Sequence, residues 1–172
     1  MTTTSSPPVP IPRLTFNSPA PGQVVLHGVV DERAGLERVL TYAEGGKLNI
    51  DLADVSYINS LGVRDWINLM NQATSQGIAI ELHRVCEPIV QQLNMILATR
   101  GKAHIASFYA PYACDHCGRE ESLLIDTAAS AASLAAGQPP DAKCPECGST
   151  MAFNDFPERY FAFLTYADPC PS

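Results

Sequence analysis

Lys47-Leu-Asn-Ile-Asp-Leu-Ala-Asp-Val-Ser-Tyr-Ile-Asn59-Ser60-Leu61-Gly62-Val63-Arg64-Asp65-Trp66-Ile67-Asn-Leu-Met70 carries a strand, a turn and the start of a helix in one run. Leu48, Ile50 and Leu52 form a short aliphatic run that predicts a buried strand. Asn59 and Ser60 supply a polar turn. Val63, Trp66, Ile67, Met70 and Ala73 then recur at helical spacing, with Arg64, Asp65, Asn68 and Asn71 on the opposite side. Ser60 therefore falls at a helix N-terminus, where unpaired N–H groups and the positive end of the helix dipole favour an anion. Taken alone it reads as an N-cap, a role worth about 1 kcal/mol.

Outward from this run, residues 13–17 predict a short strand ended by the Ser18-Pro19-Ala20-Pro21-Gly22 turn cluster. Residues 23–30 predict a stronger strand. Residues 31–44 predict a helix with Leu36, Val39, Leu40 and Ala43 on one face, stopped by Gly45-Gly46. On the other side Gly77 closes the central helix, and Ile78, Ile80 and Leu82 alternate through a strand over 78–83. Glu87-Pro88 opens a further helix whose apolar side is Ile89, Val90, Leu93, Ile96 and Leu97, stopped at Arg100-Gly101. Residues 104–109 predict a last strand. The first 12 residues, rich in Thr, Ser and Pro, read as a disordered leader.

Asp51-Leu52-Ala53, then Val55, Ile58-Asn59-Ser60 and Gly62-Val63, resemble the signature of the STAS domain, the sulfate-transporter and anti-sigma-factor-antagonist family; Gly28 and Asp31 match a second region of it. Asn59 stands where the family usually has Asp, and Leu61 where it has a small residue. The resemblance spans residues 13–110. It implies an α/β fold, a mixed sheet with helices packed mainly on one face. It also implies that Ser60 is a phosphoacceptor, within a partner-binding surface of Asn59, Ser60, Leu61, Gly62 and Arg64. The partner it implies is a kinase, an anti-sigma-type regulator or another STAS protein.

Cys114-Asp-His-Cys117-Gly118 and Cys144-Pro-Glu-Cys147-Gly148 are separated by 26 residues. Each Cys-x-x-Cys-Gly turn sets two thiolates on one side of a tight knuckle, so two knuckles offer four tetrahedral ligands and no open position for water. Residues 111–172 thus read as a zinc ribbon holding structural Zn2+ through Cys114, Cys117, Cys144 and Cys147. Rubredoxin-type iron, and with it an electron carrier, is the alternative, since a thiolate tetrahedron accepts either metal. Arg119 stands where rubredoxins often carry Tyr. His116 reads as a spectator. Strands are expected near 122–126 and 151–153, with an exposed Ala/Ser-rich insert at 127–137 between the knuckles. A C-terminal helix capped by Asp155 is expected to dock Phe156, Tyr160, Phe163 and Leu164 on the sheet or on another chain.

The net charge of −7 is concentrated: residues 114–172 carry three cations against nine anions. That acidity argues against a nucleic-acid partner, which needs clustered cations. No apolar run of spanning length and no signal-peptide pattern occurs, so no membrane partner and a cytoplasmic location are expected. Cys86 and His83 read as a buried thiol and a surface imidazole, and no catalytic motif stands out. The sequence thus points to a non-enzymatic bacterial regulator acting by protein–protein contact. A structural scaffold, including a homo-oligomer, is the rival reading.

Overall fold

The computed structural model describes residues 13–165. The expected leader and the tail with Cys170 lie outside the described residues. The chain is mixed α/β, with two sheets and helices.

The first sheet has the order β1 (Thr15–Asn17), β2 (Gln23–Val30), β3 (Lys47–Ile58), β4 (Ala79–His83), β5 (His104–Ile105). β1 is antiparallel to β2, and the other pairs are parallel. Alternation decides its faces. Val24, Leu26, Leu48, Ile50, Leu52, Ile80 and Leu82 are buried, whereas Val25, His27, Asn49, Asp51, Glu81 and His83 between them are half-buried or exposed. The helices therefore cover one face. α1 (Ser60–Ser75) buries Gly62, Val63, Trp66, Leu69, Met70 and Ala73, and α2 (Glu87–Met95) buries Ile89, Val90 and Leu93. The Trp66 indole N–H donates to the Thr99 carbonyl at 2.7 Å, which ties α1 to the turn after α2.

The second sheet is antiparallel, with the order β7 (Glu120–Asp126), β6 (Ser107–Ala113), β9 (Thr150–Phe153), β8 (Ala142–Lys143). β6 joins the two sheets. Its first residues bond Val85, two residues past β4 (Val85 N–H to Ser107 O, 3.0 Å; Tyr109 N–H to Val85 O, 2.9 Å), while its other edge pairs with β7. The sequence boundary at 110/111 thus falls inside a strand, and one hydrophobic cluster runs from Val24 to Phe163. The short helix α3 (Ala131–Ala135) buries nothing, as expected of the Ala/Ser insert. α4 (Pro157–Tyr160) and α5 (Ala162–Thr165) return onto α2. Asn94 holds them there, donating to Tyr160 O and accepting from Phe163 N–H, both at 2.8 Å. The Phe163 ring meets Phe108 edge-on at 5.1 Å, and Phe161 stacks on Phe153 at 5.1 Å.

Several local expectations are corrected. The helix expected over 31–44 is a 3-10 helix, Leu36–Tyr42. Asp31 accepts from Arg33 N–H and, through its carbonyl, from Ala34 N–H, and Gly35 is left-handed (φ 63), so the chain cannot be helical before Leu36. The central strand runs on to Ile58, leaving Asn59 alone as the turn. α2 ends at Met95, because Ile96 is extended (φ −136, ψ 103); Ile96 and Leu97 lie outside the buried stripe. The last strand breaks at Ala106, whose N–H is taken by Leu82 O. The C-terminal helix is two short helices. Phe156, not Asp155, holds the cap position and is exposed, and Phe161 takes the buried place expected for it.

Candidate metal centre and the Ser60 surface

The two knuckles are built alike. In the first, Cys114 N–H bonds Arg119 O and Gly118 N–H bonds Cys114 O, both at 2.8 Å. In the second, Cys144 N–H bonds Ser149 O at 2.8 Å and Gly148 N–H bonds Cys144 O at 2.9 Å. Closing each loop needs a left-handed residue, and Gly118 (φ 74) and Gly148 (φ 73) supply it. A Cβ would meet nothing within 4 Å at either glycine, so backbone conformation rather than space selects them.

The strand pairing of β6 with β9 brings the knuckles together. All four ligand sulfurs, of Cys114, Cys117, Cys144 and Cys147, lie within 4.8 Å of one another. Cys114 Sγ is 3.5 Å from Cys147 Sγ, and Cys117 Sγ is 3.6 Å from Cys144 Sγ. A tetrahedral thiolate site with bonds of about 2.3 Å places its sulfurs about 3.8 Å apart, so the cluster fits one ion. These distances are too long for a disulfide of about 2.05 Å. Cys114 and Cys144 are buried, and Cys117 and Cys147 are exposed.

Hydrogen bonds from Ser149, through its side chain and its N–H, hold the Cys147 thiol down to about 5. At Cys117 the Arg119 N–H favours the thiolate, but desolvation and the sulfurs of Cys144, Cys114 and Cys147 outweigh it and push that thiol up to about 12. Thiolates this close repel one another, and a cation relieves the conflict. Arg119 reaches Glu121 at 2.7 Å and Glu146 of the second knuckle at 3.1 Å, so its guanidinium links the two knuckles through carboxylates. The sequence reading noted Arg119 only against the rubredoxin pattern and missed its hydrogen bond to the cluster, and it missed Ser149 altogether. Their signal was their equivalent position two residues after the second cysteine of each pair.

Cys86, by contrast, is buried away from the cluster, and desolvation pushes its thiol up to about 11, which makes it inert. His83 lies 2.8 Å from Glu81 on the open sheet face.

At the other candidate site, the helix cap is Asn59 and not Ser60. Asn59 Oδ1 accepts from Gly62 N–H at 2.7 Å, and its Nδ2 donates to Glu32 at 3.2 Å. Ser60 is the first residue of α1 and is exposed, as are Leu61 and Arg64; Gly62 is buried. The reason for Gly62 is close approach: a Cβ there would lie 2.2 Å from the carbonyl oxygen of Val30, at the end of β2. Exposed Tyr57, which the sequence reading did not single out, lies three residues before Ser60. Arg64 is held by Asp65 at 3.0 Å. The Arg33 side chain hydrogen-bonds Asp31 and holds its carboxyl below the usual range. Since the cap belongs to Asn59, Asn59→Ala should lose about 1 kcal/mol of stability, and Ser60→Ala less than about 0.5 kcal/mol, by urea denaturation.

Among the described residues no helix is long and apolar enough to cross a membrane. In comparisons with protein families, with curated proteins and with solved structures, nothing matches this chain.

Proposed function

We propose that this chain is a cytoplasmic bacterial regulator of the STAS type, non-enzymatic, with a zinc ribbon built into it. It acts by binding a protein partner, a kinase or anti-sigma-type regulator, at the start of α1. The observation that carries this reading is the exposure of Ser60 together with the large apolar side chains of Leu61 and Tyr57 at the end of the central strand. The mixed sheet with helices on one face, and the close approach of Gly62 to β2, support the family resemblance. Zinc is the metal that a closed four-cysteine site favours, holding the ribbon rather than performing chemistry. The acidity of residues 114–172 argues against a nucleic-acid partner.

Phosphate on Ser60 would add about −1.5 to −2 charge at this surface, one helical turn before Arg64 and close to Glu32, bonded to Asn59. Ser60→Asp should therefore weaken partner binding while the fold survives, since a carboxylate is tolerated at a helix N-terminus. Mass spectrometry of protein from its native cells should find phosphate on Ser60. Its consistent absence, with binding indifferent to Ser60→Asp, would leave the rival reading of a zinc-held scaffold. That rival is favoured by one contact: Asn59, in the place of the family's acidic residue, is already committed to Gly62 and Glu32.

A further inference from the structure

We propose that the groove between β1 and the 3-10 helix Leu36–Tyr42 binds a small organic phosphate ester. The proposal does not rest on the role of Ser60. The groove measures about 370 Å³, a size common among small-molecule sites. Arg13, Arg33 and Arg38 line it, together with Leu14, Phe16 and Tyr42. Among the described residues no Asp or Glu lines it. The chain as a whole has eleven Lys and Arg against eighteen Asp and Glu, so this wall reverses the overall balance. Cations gathered round one concavity focus their field into it and draw in an anion.

Packing puts the cations there. β1 is an edge strand, and Arg13, just before it, is bridged to Val29 of β2. Leu14 and Phe16 pack against the core and form the floor. From the other side, the 3-10 helix turns Leu36, Val39 and Leu40 inward, which leaves Arg38 exposed beside the groove. The Arg38 guanidinium lies 5.5 Å from the centroid of the Phe16 ring, a cation–π contact that holds the side chain over the floor without cancelling its charge. Arg33 is different, because Asp31 takes it at 2.9 Å. Among the described residues Arg13 and Arg38 have no carboxylate within ion-pair reach. Glu37 comes close, its Oε1 3.7 Å from the place of a Cβ on Gly35, but it pairs with neither. Two uncommitted guanidinium groups fit a dianion. A phosphate monoester carries about −1.5 to −2 charge at neutral pH and offers its oxygens to their planar forks, where a carboxylate offers a single charge. Half-buried Leu14, Phe16 and Tyr42 give the ester's organic part a surface to rest on.

The test is a calorimetric titration of the full chain with phenyl phosphate, inorganic phosphate and benzoate, at about pH 7.5, above the second phosphate pKa. Phenyl phosphate should bind with a Kd below about 1 mM, about threefold tighter than inorganic phosphate and about tenfold tighter than benzoate. Arg13→Gln and Arg38→Gln should each weaken phenyl phosphate by about tenfold. Arg38→Lys, which keeps the charge but loses the fork, should recover part of that loss. Arg159→Gln, which removes a cation outside the groove, should leave binding unchanged. Failure of both phosphates to bind at up to about 10 mM overturns the proposal. So does benzoate binding as tightly as phenyl phosphate. A loss on Arg159→Gln equal to that on Arg13→Gln overturns it too, since it would mark attraction to charge without a site. Loss at Arg38→Gln that comes with a lowered urea midpoint, while Arg13→Gln binds normally, has the same force.

Discussion

If the four-cysteine cluster holds the structural zinc proposed for it, replacing Cys144 with Ser should abolish metal binding and remove on the order of 5 kcal/mol of stability or more. The magnitude follows from two scales. Structural zinc sites bind with apparent free energies of about 10–16 kcal/mol, and a domain's whole net stability is about 5–15 kcal/mol. The extent of the damage follows from packing. Cys114 and Cys144 belong to the same buried cluster as Tyr112, Met151, Phe161 and Phe163. Opening the ribbon frees β9 from its register with β6, and Phe153 then loses its stack on Phe161. Asn94 in turn loses the Tyr160 and Phe163 backbone groups that it holds. Hydrogen exchange should therefore show protection lost over 114–165 and reduced across α2, while β3 and α1, whose Leu52 and Trp66 are buried away from the ribbon's strands, keep theirs. Metal analysis of the unaltered chain should give one ion per chain and a colourless solution; a red one would assign iron. A metal-free variant with unchanged exchange would show that the thiol cluster is not structural.

The residues that made parts of this fold legible are those whose signal is local. Leu48, Ile50 and Leu52 read as a buried strand from their own alternation, although only one face of it is buried, and Val63, Trp66, Met70 and Ala73 share a face under the helical period. The paired Cys-x-x-Cys-Gly turns announced themselves because a left-handed glycine and two sulfurs on one side are properties of five residues. What escaped depends on distant partners. Leu36 and Val39 satisfy a three-residue period as well as a 3.6-residue one, and only the Asp31 turn and the φ of Gly35 choose between them. Asn59 and Ser60 are both good caps, and the close fit of Gly62 under Val30 decides which residue is the first of the helix. Ile96 and Leu97 continue the apolar stripe of α2 on paper, but the chain turns out of the helix before them. β6 was hardest of all, because its residues serve two sheets and no local pattern records a second neighbour. Within the candidate site, the sulfurs' hydrogen-bond donors follow from the knuckle's internal repeat, whereas Tyr57 and Glu32 carry no signal until the strand's end is placed in space.

Gly62→Ala should destabilise the protein by about 3 kcal/mol or more, in opposition to helix propensity. In an exposed helix interior, Ala in place of Gly stabilises by about 1 kcal/mol. At Gly62 the added methyl would stand 2.2 Å from the Val30 oxygen and 2.8 Å from the Val30 carbonyl carbon. Neither atom is the far end of a flexible side chain. Both belong to the backbone at the end of β2, where Val30 O also accepts the Asn59 N–H at 3.1 Å. Relief requires the first turn of α1 to lift away from β2. That movement breaks this bond and strains the Asn59 cap, so the effect belongs at or above the upper end of overpacking costs, about 1–3 kcal/mol. Urea denaturation should show it, with Asn71→Ala on the exposed side of the same helix as a control that stays within about 0.5 kcal/mol. A second readout separates packing from function. Because Ser60 and Leu61 sit on the turn that must lift, any partner that docks there should lose affinity in Gly62→Ala even at temperatures where the variant remains folded. Unchanged or increased stability would mean that α1 does not press on β2 as described, and the placement of Ser60 at an exposed, rigid strand-to-helix junction would fall with it.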